Sequence, residues 1–64
     1  MKTLYRIVIQ NALDREFPPQ YDHFGSVASA RAYALILVQR HEGTNTFADI
    51  VNENGDIVAI VKGN

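Results

Sequence analysis

The residues best placed to do chemistry fall between positions 22 and 29. Asp22 and His23 are adjacent, with Ser26 and Ser29 within one helical turn beyond them. A carboxylate that orients an imidazole beside a hydroxyl is the arrangement a nucleophilic hydrolase uses. Ser26 has a competing role, because it precedes a run without Gly or Pro and would serve as a helix N-cap, which leaves His23 as a loop residue. A second arrangement would bring His23 and His41 together across the fold, with Asp22, around a metal ion. Against it, His41 falls in the last helical turn, where a protonated imidazole complements the carbonyl ends. A chain of 64 residues also has little room for a pocket of a few hundred Å³. The sequence therefore points to a non-enzymatic protein, and no catalytic, cofactor-binding or metal-ligating residue is assigned.

Nucleotide chemistry has no motif behind it. Gly25, Gly43, Gly55 and Gly63 are isolated, each at a turn or helix end, so no glycine-rich loop cradles a phosphate. Tyr5, Phe17, Tyr21, Phe24, Tyr33 and Phe47 would stack bases only with cations beside them. Six basic against seven acidic residues give a net charge of -1, and Lys2, Arg6, Arg15, Arg31, Arg40 and Lys62 are scattered along the chain. A phosphate-binding surface needs them concentrated, and the acidic residues are equally too few and too balanced to imitate a phosphate ladder. Asp49, between Phe47 and Val51, is the one charge in an apolar setting. If exposed it is a partner contact; if buried it needs a donor such as Arg6 or Tyr33.

The elements that must position these residues follow from periodicity. Thr3 to Gln10 is rich in β-branched and aromatic residues and reads as a strand, with Tyr5, Ile7 and Ile9 on its core face and Leu4, Arg6, Val8 and Gln10 on the other. Asn11 to Gly25 reads as an ordered loop around Pro18-Pro19, through which no regular helix can run. Asn11 could cap one helical turn before Phe17, and Gln20 to Phe24 could add a short edge strand. Ser26 caps a helix from Val27 to Glu42 that Gly43 ends. On it, Val27, Ala30, Tyr33, Ala34, Leu37, Val38 and His41 form one stripe suited to face a sheet, whereas Leu35 and Ile36 fall on the opposite arc without a burial partner. Thr46 to Asn52 and Asp56 to Lys62 form a hairpin across Glu53-Asn54-Gly55. With a two-residue Asn54-Gly55 loop, Val51 lies opposite Val58 and Ile50 opposite Ala59. Ala48, Ile50, Ile57, Ala59 and Val61 then share one face, and Phe47, Asp49, Val51, Val58 and Ile60 the other. A three-residue bulged loop would shift that register by one on one side. Gly63-Asn64 is expected to fray.

The fold class is α+β: a β-α-β-β arrangement with a three-stranded antiparallel-type sheet and one helix on one face, in a single domain over residues 1-64. With 47% hydrophobic residues the chain is globular, but a domain this small hides only about 60% of its unfolded surface. It has no cysteine to staple it. The N-terminus carries no signal-peptide pattern, and the longest apolar run, Ala32 to Val38, is far short of the roughly 20 residues that span a bilayer. No membrane association is expected, and cytoplasmic localisation is the default.

One helix covers one sheet face, yet the hairpin is apolar on both faces and the first strand puts Leu4 and Val8 on its second face. Two readings stand. Either the Asn11 to Gly25 loop folds over that face with Phe17, Tyr21 and Phe24, or a partner covers it, in a homodimer or a hetero-complex. In size, near-neutral charge, absence of cysteine and absence of a catalytic constellation, the chain resembles the small proteins that bacteriophages and mobile elements use against host machinery, such as anti-CRISPR proteins. The resemblance implies a binder that blocks a surface of a larger protein or nucleoprotein. The leading expectation is thus a protein-binding module, an inhibitor in that setting, using Phe17, Tyr21, Phe24, Arg31, Leu35, Ile36 and Arg40, since Arg and aromatic residues anchor interfaces. The alternative is a homodimeric nucleic-acid-binding accessory protein, in which dimerisation doubles a weak basic patch. A small hydrolase or metal-dependent enzyme built on Asp22 and His23 ranks last.

Overall fold

The structure, a computed structural model, describes residues 3–11, 19–41 and 45–63. Its elements are β1 (Thr3–Gln10), β2 (Gln20–Gly25), α1 (Val27–Arg40), β3 (Phe47–Val51) and β4 (Ile57–Lys62). The four strands form one antiparallel sheet in the order β2-β1-β3-β4, with α1 across one face. The α+β class and the single covering helix are as expected, but the sheet has a fourth strand. It is the short edge strand weighed at Gln20 to Phe24 within the segment read as an ordered loop, and it pairs with β1, Thr3 opposite Gly25 through Val8 opposite Gln20. The chain enters it through Pro19, whose carbonyl accepts from the Ile9 N–H at 2.7 Å. Proline is tolerated at that position because it stands just before the first residue of the strand, at the end of the ladder. The helical turn weighed before Phe17 lies outside the described residues.

β1 is central, and its alternation is the one the sequence dictates: Ile7 and Ile9 are buried under α1, joined by partly buried Tyr5. In β3, Ala48 and Ile50 stand opposite Ile9 and Ile7 and complete the buried layer. The helix contributes Ala30, Ala34, Leu37 and Val38. Alanines at two of these positions bring the helix close to the sheet, and Leu37, 1% exposed, fills the centre with Ile7 and Ile50. Ser26 caps α1 as predicted. Its hydroxyl accepts from the Ser29 N–H at 3.1 Å, and the Ser29 hydroxyl accepts from the Ser26 N–H at 2.9 Å, so a capping box forms with serine in the place usually held by Glu or Gln. The helix ends at Arg40 with His41 as its C-cap, short of the expected Glu42, and Gly43 lies outside the described residues.

The β3–β4 hairpin reaches the expected face assignment by an unexpected route. Asn52 N–H donates to the Asp56 carbonyl at 2.9 Å, and Gly55 N–H closes the turn onto the Asn52 carbonyl at 3.1 Å. The loop is therefore three residues, Glu53-Asn54-Gly55, with Gly55 at φ 87° where L side chains are strained. The Asn52 side chain fixes it by accepting from the Asn54 and Asp56 N–H groups. Such a loop sets Val51 opposite Ile57 rather than Val58, one residue out of step, and a β-bulge next to it restores Ile50 opposite Ala59 and Ala48 opposite Val61. Because strand side chains alternate, an uncorrected slip would have turned Ala59 and Val61 away from the helix. Ile57, expected on the helix side, is instead exposed on the other face opposite Val51, and Val58 is the extra residue of the bulge. Gly63 does not fray, since its N–H donates to the Thr46 carbonyl at 3.4 Å.

Candidate interaction surface

The hydrolase-like residues are separated by the pleat. β2 alternates, so Asp22 and His23 project from opposite faces of the sheet. Asp22 lies on the open face, 3.9 Å from the Arg6 guanidinium in an exposed pair. His23 lies on the helix face, with Nε2 at 2.9 Å from the Ser29 hydroxyl. A His–Ser pair is present, but Asp22 cannot orient that ring. The Ser29 hydroxyl is also occupied in the cap, donating to the Ser26 carbonyl at 2.9 Å and accepting from the Ser26 N–H. Gly25 makes this corner possible, because a Cβ there would stand 2.5 Å from the Ser29 oxygen.

His41, placed by the helical arc on the sheet-facing stripe, is buried. It is the C-cap, 4% exposed, with Nε2 at 3.1 Å from the Tyr21 hydroxyl. The two histidines terminate a row of rings between β2 and α1: His23 stacks on Tyr33, which meets Tyr21 edge-on, which meets His41 edge-on. The row fastens the edge strand to the helix through oriented aromatic contacts. Tyr33 and Tyr21 thus lie between the two histidines weighed as a metal pair, and among the described residues no group of three metal-ligating side chains converges.

The other face of the sheet is the surface on which the unexplained residues gather. Leu4, Arg6, Val8 and Gln10 of β1, Gln20, Asp22 and Phe24 of β2, Phe47, Asp49 and Val51 of β3, and Ile57, Ile60 and Lys62 of β4 share it by register and alternation. Among the described residues no element packs on it. Phe24 is 61% and Ile60 55% exposed. Asp49 is half-buried here, and its donor is neither Arg6 nor Tyr33 but Gln10, whose Nε2 donates to Oδ2 at 3.4 Å. The reading in which Phe17, Tyr21 and Phe24 cover this face meets two corrections: Tyr21 turns to the helix side, and Phe24 stays exposed. Phe17 lies outside the described residues.

Of the residues expected to contact a partner, Leu35 and Ile36 are exposed on the outer arc of α1, with Arg31 exposed beside them and Arg40 exposed in the last turn. Arg31, Ala32 and Leu35 form one wall of a groove of about 360 Å³ whose other wall is Ile60, Val61 and Lys62. The structure thus groups Arg31 and Leu35 with the β4 edge and leaves Phe24 on the open face near the opposite edge. Sequence reasoning did not include Val58 and Ile60 among contact residues, although the apolar character of both hairpin faces was the signal for them. No helix among the described residues is long and apolar enough to cross a membrane. Compared with protein-family models, with curated proteins and with solved structures, the chain matches none.

Proposed function

We propose that this chain is a non-enzymatic protein-binding module, whose task is to occlude a surface of a larger cytoplasmic host protein or nucleoprotein, as an inhibitor does. The observation that carries the reading is the uncovered sheet face, where Phe24 on one edge strand and Ile57 and Ile60 on the other stand more than half exposed. Exposed apolar side chains set among polar ones mark interaction sites, and here Arg6, Gln10, Asp22 and Asp49 stand between them. Phe24 is the anchor, since an aromatic side chain desolvated in an interface contributes a large share of its affinity. The division of Asp22 and His23 between two faces, and the use of the Ser29 hydroxyl in the cap, support a role without catalysis.

The test is affinity capture from a lysate of the source cells with wild type, Phe24→Glu and Leu35→Glu/Ile36→Lys, each first shown to be folded by circular dichroism. The reading expects a protein that wild type retains and Phe24→Glu loses. Retention unaffected by either variant, or no retained protein, refutes it. Capture that collapses with added salt and nuclease treatment would transfer the function to nucleic acid.

A further inference from the structure

We infer that the Asn54-Gly55 peptide at the tip of the β3–β4 hairpin is a site of self-modification, where the Gly55 backbone nitrogen displaces the side-chain amide of Asn54, and that Asn52 sets the rate. The site uses the loop alone and stands whatever the open sheet face binds.

The chemistry follows from the two residue types. An asparagine side chain carries its amide carbon within reach of the next backbone nitrogen. After base removes the proton of that nitrogen, it bonds to the Asn54 Cγ and closes a succinimide ring. The bond from Cγ to the side-chain nitrogen breaks, and ammonia leaves with a proton. Water then opens the ring at one of its two carbonyls. Opening at Cγ leaves the main chain intact and gives aspartate; opening at the backbone carbonyl gives isoaspartate, in which the main chain runs through Cβ and Cγ. One water enters and one ammonia departs, with no oxidant or cofactor. A side chain on the following residue would shield the attacking nitrogen. Of the asparagines at 11, 45, 52 and 54, only Asn54 precedes glycine.

The loop leaves the electrophile open and holds the nucleophile. Asn54 and Gly55 are exposed, and the space where a Gly55 Cβ would stand is empty. Among the described residues the Asn54 side chain makes no hydrogen bond; only its backbone N–H is engaged. The Gly55 N–H, by contrast, donates to the Asn52 carbonyl at 3.1 Å. On either side of it the Asn54 and Asp56 N–H groups donate to Asn52 Oδ1 at 3.0 and 2.9 Å. A nitrogen whose proton is held in a hydrogen bond gives it up less readily, so ring closure waits on local opening of the loop. Asn52 supplies every acceptor in this restraint. Its own side chain is occupied by two of these bonds and is followed by Glu53, so it is the guard and Asn54 the reacting group.

The product changes the hairpin. Either form adds a carboxylate beside Glu53 and Asp56. Isoaspartate also lengthens the main chain inside the turn that Asn52 closes. Loop and bulge together keep Ala59 opposite Ile50 and Val61 opposite Ala48, and a longer main chain at 54 breaks that match.

The test is incubation of the full chain in warm, mildly alkaline buffer, followed by mass spectrometry with peptide mapping, with a parallel sample in urea. Wild type is expected to exchange amide for acid at position 54, as a mixture of aspartate and isoaspartate, more slowly than in urea. Asn54→Gln should not react, because its longer side chain would have to close a larger ring. Asn52→Ala, shown to be folded by circular dichroism, should react about tenfold faster, the change in opening expected from losing two exposed hydrogen bonds. Asn52→Asp, which keeps the acceptor, should stay near the wild-type rate. No conversion of folded wild type, or conversion chiefly at another asparagine, overturns the site. Equal rates in Asn52→Ala and wild type overturn the guard; should Asn52→Ala not fold, equal rates for wild type with and without urea do so.

Discussion

At one edge of the sheet β2 follows a proline and reads Gln-Tyr-Asp-His-Phe-Gly; at the other β4 reads Ile-Val-Ala-Ile-Val-Lys. Both have one neighbour and both leave alternate backbone groups unpaired. On β2 those outward groups belong to Gln20, Asp22 and Phe24, and Asp22 carries a charge in the middle of the strand that any added strand would have to accommodate beside Arg6. On β4 they belong to Ile57, Ile60 and Lys62, on either side of the bulge at Val58, and no charge stands before Lys62 in the strand. The edges also differ in what holds them from within. β2 is fastened to α1 by the rings of His23, Tyr33, Tyr21 and His41, whereas β4 lies under the helix through small aliphatic side chains such as Ala59 and Val61. One edge is thus anchored by a row of rings and guarded outward, and the other is unguarded. In a domain with so small a core, an unguarded apolar strand is surface that a second chain can bury.

The contrast can be broken most strongly at Tyr21. Tyr21→Ala removes both edge-on ring contacts and the hydroxyl partner of His41, and is expected to lower unfolding stability by about 3 kcal/mol in urea titration. Tyr21→Phe, which keeps the rings, should lower it by about 1 kcal/mol. Asp22→Val sharpens the contrast from the other side, because it makes the β2 edge resemble β4. Association should then appear by light scattering at concentrations where wild type shows none. Gly55→Ala has open space for its methyl but must hold φ 87°, so it is expected to cost about 1 kcal/mol and to lower the melting midpoint by about 4–8 °C. Arg6→Gln removes a long, exposed ion pair on the guarded side and should change stability by less than about 0.5 kcal/mol.

The anchored side was the harder to read in sequence. β1, α1 and the hairpin announce themselves because their apolar residues recur with a clean period: Ile7 and Ile9 in the strand, Ala30, Ala34, Leu37 and Val38 in the helix, Asn54-Gly55 in the turn. β2 has no such period. Its inward residues are Tyr21 and His23, its outward ones Gln20, Asp22 and Phe24, and Asp and Gly are poor strand formers on their own. It is a strand because β1 offers a ladder and α1 offers Tyr33, and both are tertiary facts. The bulge was hidden for a different reason: the three-residue loop and the bulge cancel, so the pattern at Ala59 and Val61 is that of a two-residue turn. For the interaction surface, the exposure of Leu35 and Ile36 was legible from the helical arc alone. The weight carried by Ile60 was not, because it depends on β4 being the last strand of the sheet.

Amide hydrogen exchange at position 22, followed as the protein concentration is raised in wild type and in Asp22→Val, tests the difference between the edges most directly. The account predicts that this amide stays fast throughout in wild type and slows with concentration in Asp22→Val. Fast exchange at every concentration in both, or slowing in wild type, would contradict it.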